Sequence, residues 1–142
     1  MRFCVIDGQG GRIGAAMIRR LKQEYGEGVE VHALGTNAAA TAYMMKSHAN
    51  RGATGENAIL HSIKVADVII GPLSIVLANA MMGEVTPAIA AAVASCQAPK
   101  LLLPLNREGV KVAGVSPEPL PHLVEEIVKV HLKALLTECT KY

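Results

Sequence analysis

The fold is decided by residues 3–14, which read FCVIDGQGGRIG. Residues 3–6 are apolar and favour a β-strand, and Asp7-Gly8 ends that apolar run. The residues that follow predict a helix over 12–24, because apolar side chains recur there at helical spacing. A glycine-rich turn that joins a strand directly to a helix is typical of a Rossmann-like unit.

The same alternation continues along the chain. After the first strand, the patterns predict strands at residues 29–34, 68–70, 101–103 and, as a short edge strand, 110–115. After the first helix, they predict helices at residues 38–48, 55–65, 87–95 and 120–137, with a loop at 50–53 and a helical or irregular stretch at 73–82. This order predicts an α/β fold: a three-layer Rossmann-like domain with a mainly parallel sheet of four or five strands and helices on both faces.

Length and composition predict one folded domain. The chain has 142 residues, of which 51% are hydrophobic and 18% are charged, so it can bury a core. We expect a single domain over 1–142 that ends in a short flexible tail from about residue 138. Aromatic residues make up only 3% and the formal charge is +2, which argues against nucleic acid as a partner.

A charge-poor block lies in the second half of the chain. Glu84 is the only charged residue between Asp67 and Lys100. The uncharged run is shorter than the roughly 20 residues of a spanning helix and contains Gly71-Pro72, so we do not expect a membrane segment. We expect buried interior or a subunit contact there, and therefore a homodimer through residues 68–99.

The cellular compartment is predicted from the first residues and the cysteines. The N-terminal residues lack the apolar run of a signal peptide. The three cysteines are widely spaced and odd in number. A reduced cytoplasmic protein is the expectation.

The turn at 7–14 is the main candidate ligand site. Glycines let a ligand approach the backbone, the following helix offers free N–H groups to a phosphate, and Arg12 adds a cation. In an open parallel sheet, the loops after the other strands meet at the same edge. The candidate ligand-binding residues are therefore Asp7, Gly8, Gln9, Gly10, Gly11, Arg12, Ile13, Gly14, Thr36, Asn37, Gly71, Ser74, Asn106 and Arg107.

Each of these residues also has a structural interpretation, which the sequence leaves open. The glycines can serve close strand–helix packing alone. Thr36 or Asn37 can cap the second helix, and Asp7 can accept hydrogen bonds from the turn's own amides or contact a cation or sugar. Glu84 is either exposed at a turn or paired across an interface, and the sequence also leaves a catalytic role open.

The spacing does not match the dinucleotide fingerprint. The pattern G-x-G-x-x-G would place its third glycine at position 13, where Ile13 stands, and Gly14 follows one residue late. The acid that usually binds a ribose after the second strand is missing, and Thr36-Asn37 occupy that place. An NAD(P)-dependent oxidoreductase therefore stays an alternative, beside a non-catalytic homodimeric module.

Other site classes lack their signatures. The five histidines show no zinc-ligand spacing, so no metal site is expected. A Walker A lysine and a G-x-S-x-G elbow are both absent. The sequence favours binding of a nucleotide or a phosphorylated small molecule and names no reaction.

Five blocks, in this order, resemble a small bacterial family of unknown function. They are DGQGGRIG (7–14), ALGTNAAAT (33–41), GATGENA (52–58), GEVTP (83–87) and LPLNR (103–107). The resemblance spans about residues 1–137. It implies a single Rossmann-like domain and assigns no activity.

Overall fold

The computed structural model describes residues 1–105 and 108–139. Five strands form one sheet: β1 Arg2–Asp7, β2 Glu30–Gly35, β3 Arg51–Thr54, β4 Val68–Pro72 and β5 Lys100–Leu103. Their order is β3-β2-β1-β4-β5, and every neighbouring pair is parallel. The predicted α/β fold with a parallel sheet is confirmed.

Helices cover both faces of the sheet. They are α1 Arg12–Tyr25, α2 Ala38–Met45, α3 Glu56–Ser62, α4 Pro87–Ser95, α5 Leu120–Glu126 and α6 Lys133–Cys139. Side chains alternate along β1, so Phe3 and Val5 join the core formed with α1, α2 and the C-terminal helices. Cys4 and Ile6 point to the opposite core, beneath α3 and α4.

The strand order places a topological switch next to β1. The chain moves from β1 through β2 to β3 on one side, and then crosses to β4 on the other side of β1. Ligands of open α/β sheets bind outside the carboxyl ends of the strands at such a switch. The turn after β1 and the loops after β2 and β4 lie at this edge.

The N-termini of α2, α3 and α4 are capped in different ways. Asn37 caps α2 by accepting a hydrogen bond from the Ala40 amide at 2.8 Å, and the Thr86 hydroxyl accepts one from the Ile89 amide at the start of α4 at 3.2 Å. Gly55 is the N-cap of α3, and Thr54, the residue before it, ends β3.

Two predicted loop and strand assignments were wrong. Residues 51–53, predicted as part of a loop, belong to the edge strand β3, whose mostly exposed side chains give no alternating pattern. Residues 110–115 form exposed turns and coil instead of a strand, and the Val115 amide bonds back to the Val112 carbonyl at 3.4 Å. Valines predicted the strand, but no neighbouring strand pairs with this segment in the described part of the chain.

The last helical region is longer than predicted. A π-helical stretch, Ile127–Leu132, joins α5 to α6, so helix reaches Cys139 and includes the start of the predicted tail. Residues 140–142 lie outside the described residues. Within 1–105 and 108–139, no helix has the length and apolar character needed to cross a membrane.

Candidate functional site

The buried Asp7 carboxylate holds the turn between β1 and α1 in place through hydrogen bonds. Its side chain is 2% exposed, and its two carboxylate oxygens accept hydrogen bonds from the Gly8 and Gly14 amides, each at 2.8 Å. Burial raises the pKa of the Asp7 carboxyl above its ordinary value, and the hydrogen bonds from neighbouring backbone amides offset only part of this effect. Asp7 therefore accepts from the turn's own amides, which the sequence left as one of its possible roles.

Gly11 and Gly14 of the turn are required by packing against α2 and the end of β1. Gly11 has φ +74°, and a Cβ there would lie 2.7 Å from the Ala40 carbonyl oxygen. A Cβ on Gly14 would lie 2.4 Å from the Met44 sulfur and 3.0 Å from the Asp7 Cβ. These two positions hold α1 close to α2 and to the end of β1.

The Glu84 side chain lies against the glycine-rich turn and the loop after β2 and is hydrogen-bonded to both. Its Oε1 atom accepts hydrogen bonds from the Gln9 amide at 2.9 Å, the Thr36 hydroxyl at 2.7 Å and the Asn37 side-chain amide at 2.6 Å. Three neutral donors from two different strand-end loops thus converge on one negatively charged oxygen. This is the donor arrangement expected of an anion site.

The pKa of Glu84 follows from this environment. Burial acts to raise it, but the hydrogen bonds from Gln9, Thr36 and Asn37 outweigh burial, so the pKa of the carboxyl lies below its ordinary value. The group is therefore an anion at neutral pH, held by the turn.

The segment that carries Glu84, residues 77–86 (hereafter the Glu84 loop), is conformationally strained. Four of its residues have positive φ: Asn79 at 67°, Met81 at 57°, Met82 at 56° and Gly83 at 91°. The left-handed region costs a methionine about 1–2 kcal/mol. Such strain persists only where surrounding contacts fix the backbone.

The Glu84 loop is held at two further points. The Met81 side chain is 1% exposed, and the Met81 amide donates to the Glu108 carboxylate at 2.9 Å. A Cβ on Gly8 would lie 2.5 Å from the Met81 sulfur. The loop therefore packs directly on the glycine-rich turn, which leaves Gly8 no room for a side chain.

Part of the turn stays open. Gly10 is exposed and has no atom within 4 Å of the position of its missing Cβ. Among residues 1–105 and 108–139, the amides of Gly10 and Arg12 have no hydrogen-bond acceptor. The Arg12 side chain is exposed at the first turn of α1, beside the partly buried Ile13.

The remaining predicted residues occupy different surroundings. Gly71 packs on β1, where a Cβ would lie 2.5 Å from the Ile6 carbonyl oxygen. Ser74 is fully buried, and its hydroxyl has no hydrogen-bond partner among the described residues. Asn106 and Arg107, the two residues predicted from the loop after β5, lie outside the described residues.

Glu84 was missing from the predicted site residues. Its signal was present, because a lone charge in an apolar block must find solvent or a partner. Spacing could not show that this partner is a turn about 75 residues earlier in the chain. No periodicity or motif joins the two segments.

The described residues support neither a cysteine nucleophile nor a metal site. Burial raises the pKa of the Cys4 thiol to about 12, so it is not a thiolate nucleophile at neutral pH. Within 1–105 and 108–139, no group of three or more His, Cys, Asp or Glu side chains is placed to hold a metal ion.

The charge-poor block 68–99 lies mostly within the chain's own core. β4 is buried along its whole length, and Ile75, Val85 and Ile89 are at most 1% exposed. Met82, at 98% exposed, is the exception among the large apolar side chains of this block. Intrachain packing therefore accounts for its composition.

Comparison with known proteins gives a family without an assigned activity. A solved structure with a similar chain path is the crystal structure of a dodecameric FMN-dependent UbiX-like decarboxylase from Escherichia coli O157:H7, at 14% identity and a TM-score of 0.45, over 95% of this chain and 94% of that one. No curated protein matches the sequence. The family profile "Domain of unknown function (DUF3842)" matches residues 2–136. The chain therefore belongs to this family, as the sequence blocks indicated.

Proposed function

We propose that this protein binds a nucleotide or another phosphorylated small molecule at the glycine-rich turn, with its phosphate at the position of the Glu84 carboxylate. The observation that carries the proposal is the convergence of the Gln9, Thr36 and Asn37 donors on Glu84 Oε1. Donors that stabilise a carboxylate also suit a phosphate oxygen, which carries comparable negative charge.

The surroundings favour phosphate over a smaller anion. The Gly10 amide, which has no acceptor in the described part of the chain, and the exposed Arg12 side chain extend the donor set beyond Glu84. Both lie at the N-terminus of the 14-residue helix α1. The positive end of the helix dipole adds to their attraction for an anion. The Asp7 charge does not prevent this, because its oxygens face the Gly8 and Gly14 amides inside the turn.

Binding requires the Glu84 loop to move. Glu84 and a phosphate compete for the same donors, so the ligand displaces the carboxylate and releases the loop. The positive φ angles at Met81 and Met82 favour this change, because the strain they hold is relieved when the loop leaves.

The test is calorimetric titration of wild-type protein and two variants with pyrophosphate, ATP and NADH. Glu84→Ala removes the competing carboxylate and is expected to bind a phosphorylated ligand more tightly than wild type. Gly10→Val fills the open approach to the turn and is expected to lose binding. Absence of binding by wild type and by Glu84→Ala for all three ligands would refute the proposal.

The NAD(P)-dependent alternative stays a prediction. Thr36 and Asn37, which stand where the ribose-binding acid is usual, are both occupied by Glu84. The NADH arm of the titration separates this alternative from binding of simpler phosphates, because it predicts that NADH binds more tightly than pyrophosphate or ATP.

The homodimer also stays a prediction. Its main argument was the missing charge over 68–99, which burial within one chain accounts for. Light scattering at high protein concentration tests it directly. A dimer mass would support self-association, and a monomer mass would contradict it.

A further inference from the structure

A second cluster of charged side chains lies away from the glycine-rich turn. A cleft of about 450 Å³ opens between the β2–β3 side of the sheet and the segment 61–65, which ends α3 and forms the 3₁₀ turn after it. Five basic side chains line the cleft: Arg2, His32, Arg51, His61 and Lys64. They come from three strands and from the segment opposite.

The strand register brings the basic residues of the sheet together. Cys4 of β1 pairs with His32 of β2, and His32 pairs with Arg51 of β3. Partners in register point to the same face of a parallel sheet, which here is the face of Cys4 and α3. Arg2 lies on this face as well, two residues before Cys4.

The charges in this cleft are incompletely neutralised. Glu30 accepts from Arg2 at 3.4 Å and contacts His32 at 2.7 Å, and Asp67 accepts from the Arg2 backbone amide at 2.7 Å. Within 1–105 and 108–139, the side chains of Arg51, His61 and Lys64 have no hydrogen-bond or ion-pair partner.

One cationic group also has an unsatisfied buried atom. The Nε atom of Arg2 is buried and has no hydrogen-bond partner among the described residues. A buried N–H without an acceptor costs about 1–3 kcal/mol, more when the group is charged. Because the Nε atom itself is buried, an acceptor in the cleft would remove this cost only after the Arg2 side chain shifts towards it.

The floor of the cleft is apolar. Leu34 and Ala53 line the floor beside the basic groups, and Val65 lines the rim. Leu34 is 1% exposed, whereas Val65 is 58% exposed at the rim. A ligand that fits both parts carries a compact anionic group and a small apolar body.

We infer that this cleft is a second binding site, for a small phosphate monoester, independent of the site at the glycine-rich turn. The phosphate would contact Arg51 and Lys64, and a shift of the Arg2 side chain would let it also accept from Arg2 Nε. The apolar body would lie on Leu34 and Ala53.

Histidine NMR signals test this inference, because two of the five histidines lie in the cleft. Phenyl phosphate, titrated at constant pH and ionic strength, is expected to shift the ring signals of His32 and His61 in a saturable way. The ring signals of His122 and His131, which lie near the C-terminal helices, are expected to stay in place.

A pair of variants completes the experiment. Arg51→Gln combined with Lys64→Gln is expected to raise the apparent Kd about fivefold or more, since two charge-assisted contacts are lost. Both side chains are exposed and have no partner among the residues that the structure describes, so the fold should persist. Lys111→Gln combined with Lys133→Gln removes the same charge elsewhere and is expected to leave the Kd unchanged.

Three results would overturn the inference: no saturable shift at His32 and His61, equal shifts at all the histidines, or an equal Kd for the two double variants. Binding at the glycine-rich turn is monitored separately, by the NMR signals of the Gln9 and Gly10 amides. Failure at one site is therefore distinguishable from failure at the other.

Discussion

The Oε1 atom of Glu84 lies 2.6 Å from the Nδ2 atom of Asn37, although 47 positions separate the two residues. The Oδ1 atom of the same asparagine accepts from the Ala40 amide and caps α2. One side chain thus starts a helix and binds the Glu84 loop, and the two roles can be separated by mutation.

The Asn37→Asp variant separates these roles. Aspartate caps a helix as well as asparagine does, but it places a second carboxylate against Glu84. We expect a loss of about 1–2 kcal/mol in the free energy of unfolding at pH 7, measured by urea denaturation. Adding Glu84→Gln should recover part of the loss, because glutamine can donate to Asp at position 37. An equal loss in the single and double variants would contradict the Glu84–Asn37 contact.

Strands and helices were predictable where apolar side chains recur at the spacing of a buried face. The strands at 3–6 and 68–70 and the helix at 12–24 have buried faces whose spacing is visible in the sequence. β3 was not predictable, because it pairs through its backbone and leaves its side chains largely exposed.

The site was predictable only in part. The glycine-rich turn, Thr36 and Asn37 were identified because strand ends in a parallel sheet share an edge. Glu84 was not placed there, because its contact depends on how the Glu84 loop folds back after β4. Two of the four positive φ angles that allow this path fall on methionines, a residue type that gives no turn signal.

Two neighbouring glycines of the turn should differ in how strongly an added methyl group changes stability. Gly11→Ala is expected to destabilise the protein by about 2 kcal/mol or more, because φ is positive and the Cβ meets the Ala40 backbone. Gly10→Ala should change the unfolding free energy by at most about 0.5 kcal/mol. Gly28→Ala, also in open space, is the control. A large loss in Gly10→Ala would mean that Gly10 is structural.

The strain in the Glu84 loop predicts a stabilising substitution. Met82→Gly removes an exposed side chain from a left-handed backbone, and we expect a gain of about 0.5–1 kcal/mol after the entropic cost of glycine. Met81→Gly, at the buried neighbour, should destabilise by about 2–5 kcal/mol. Thermal unfolding compares the two. Destabilisation by Met82→Gly would show that the loop is unstrained at that residue.

Glu84 and Asp7 should give opposite pH dependences. The folded-state pKa of Glu84 is lowered, so its contribution is complete above its ordinary value of 4.5 and is lost as the pH falls through the folded pKa. The folded-state pKa of Asp7 is raised, so stability falls as the pH rises from its ordinary value of 3.8 through the folded pKa.

Denaturation of single variants between pH 3 and 7 separates these two effects. Relative to wild type, Glu84→Gln should lose less stability on acidification. Asp7→Asn should lose less stability as the pH rises from 3.8. Wild-type slopes in both variants would contradict the assigned pKa directions.

In the proposed function, the Glu84 carboxylate occupies an anion site that a phosphate can take. The most direct measurement is an amide NMR titration of wild type and Glu84→Gln with pyrophosphate, read at Gln9 and Gly10. We expect saturable shifts at both amides and binding at least about fivefold tighter in Glu84→Gln, since the competing charge is gone. No saturable shift at either amide in either protein, or equal affinity in both, would contradict the claim.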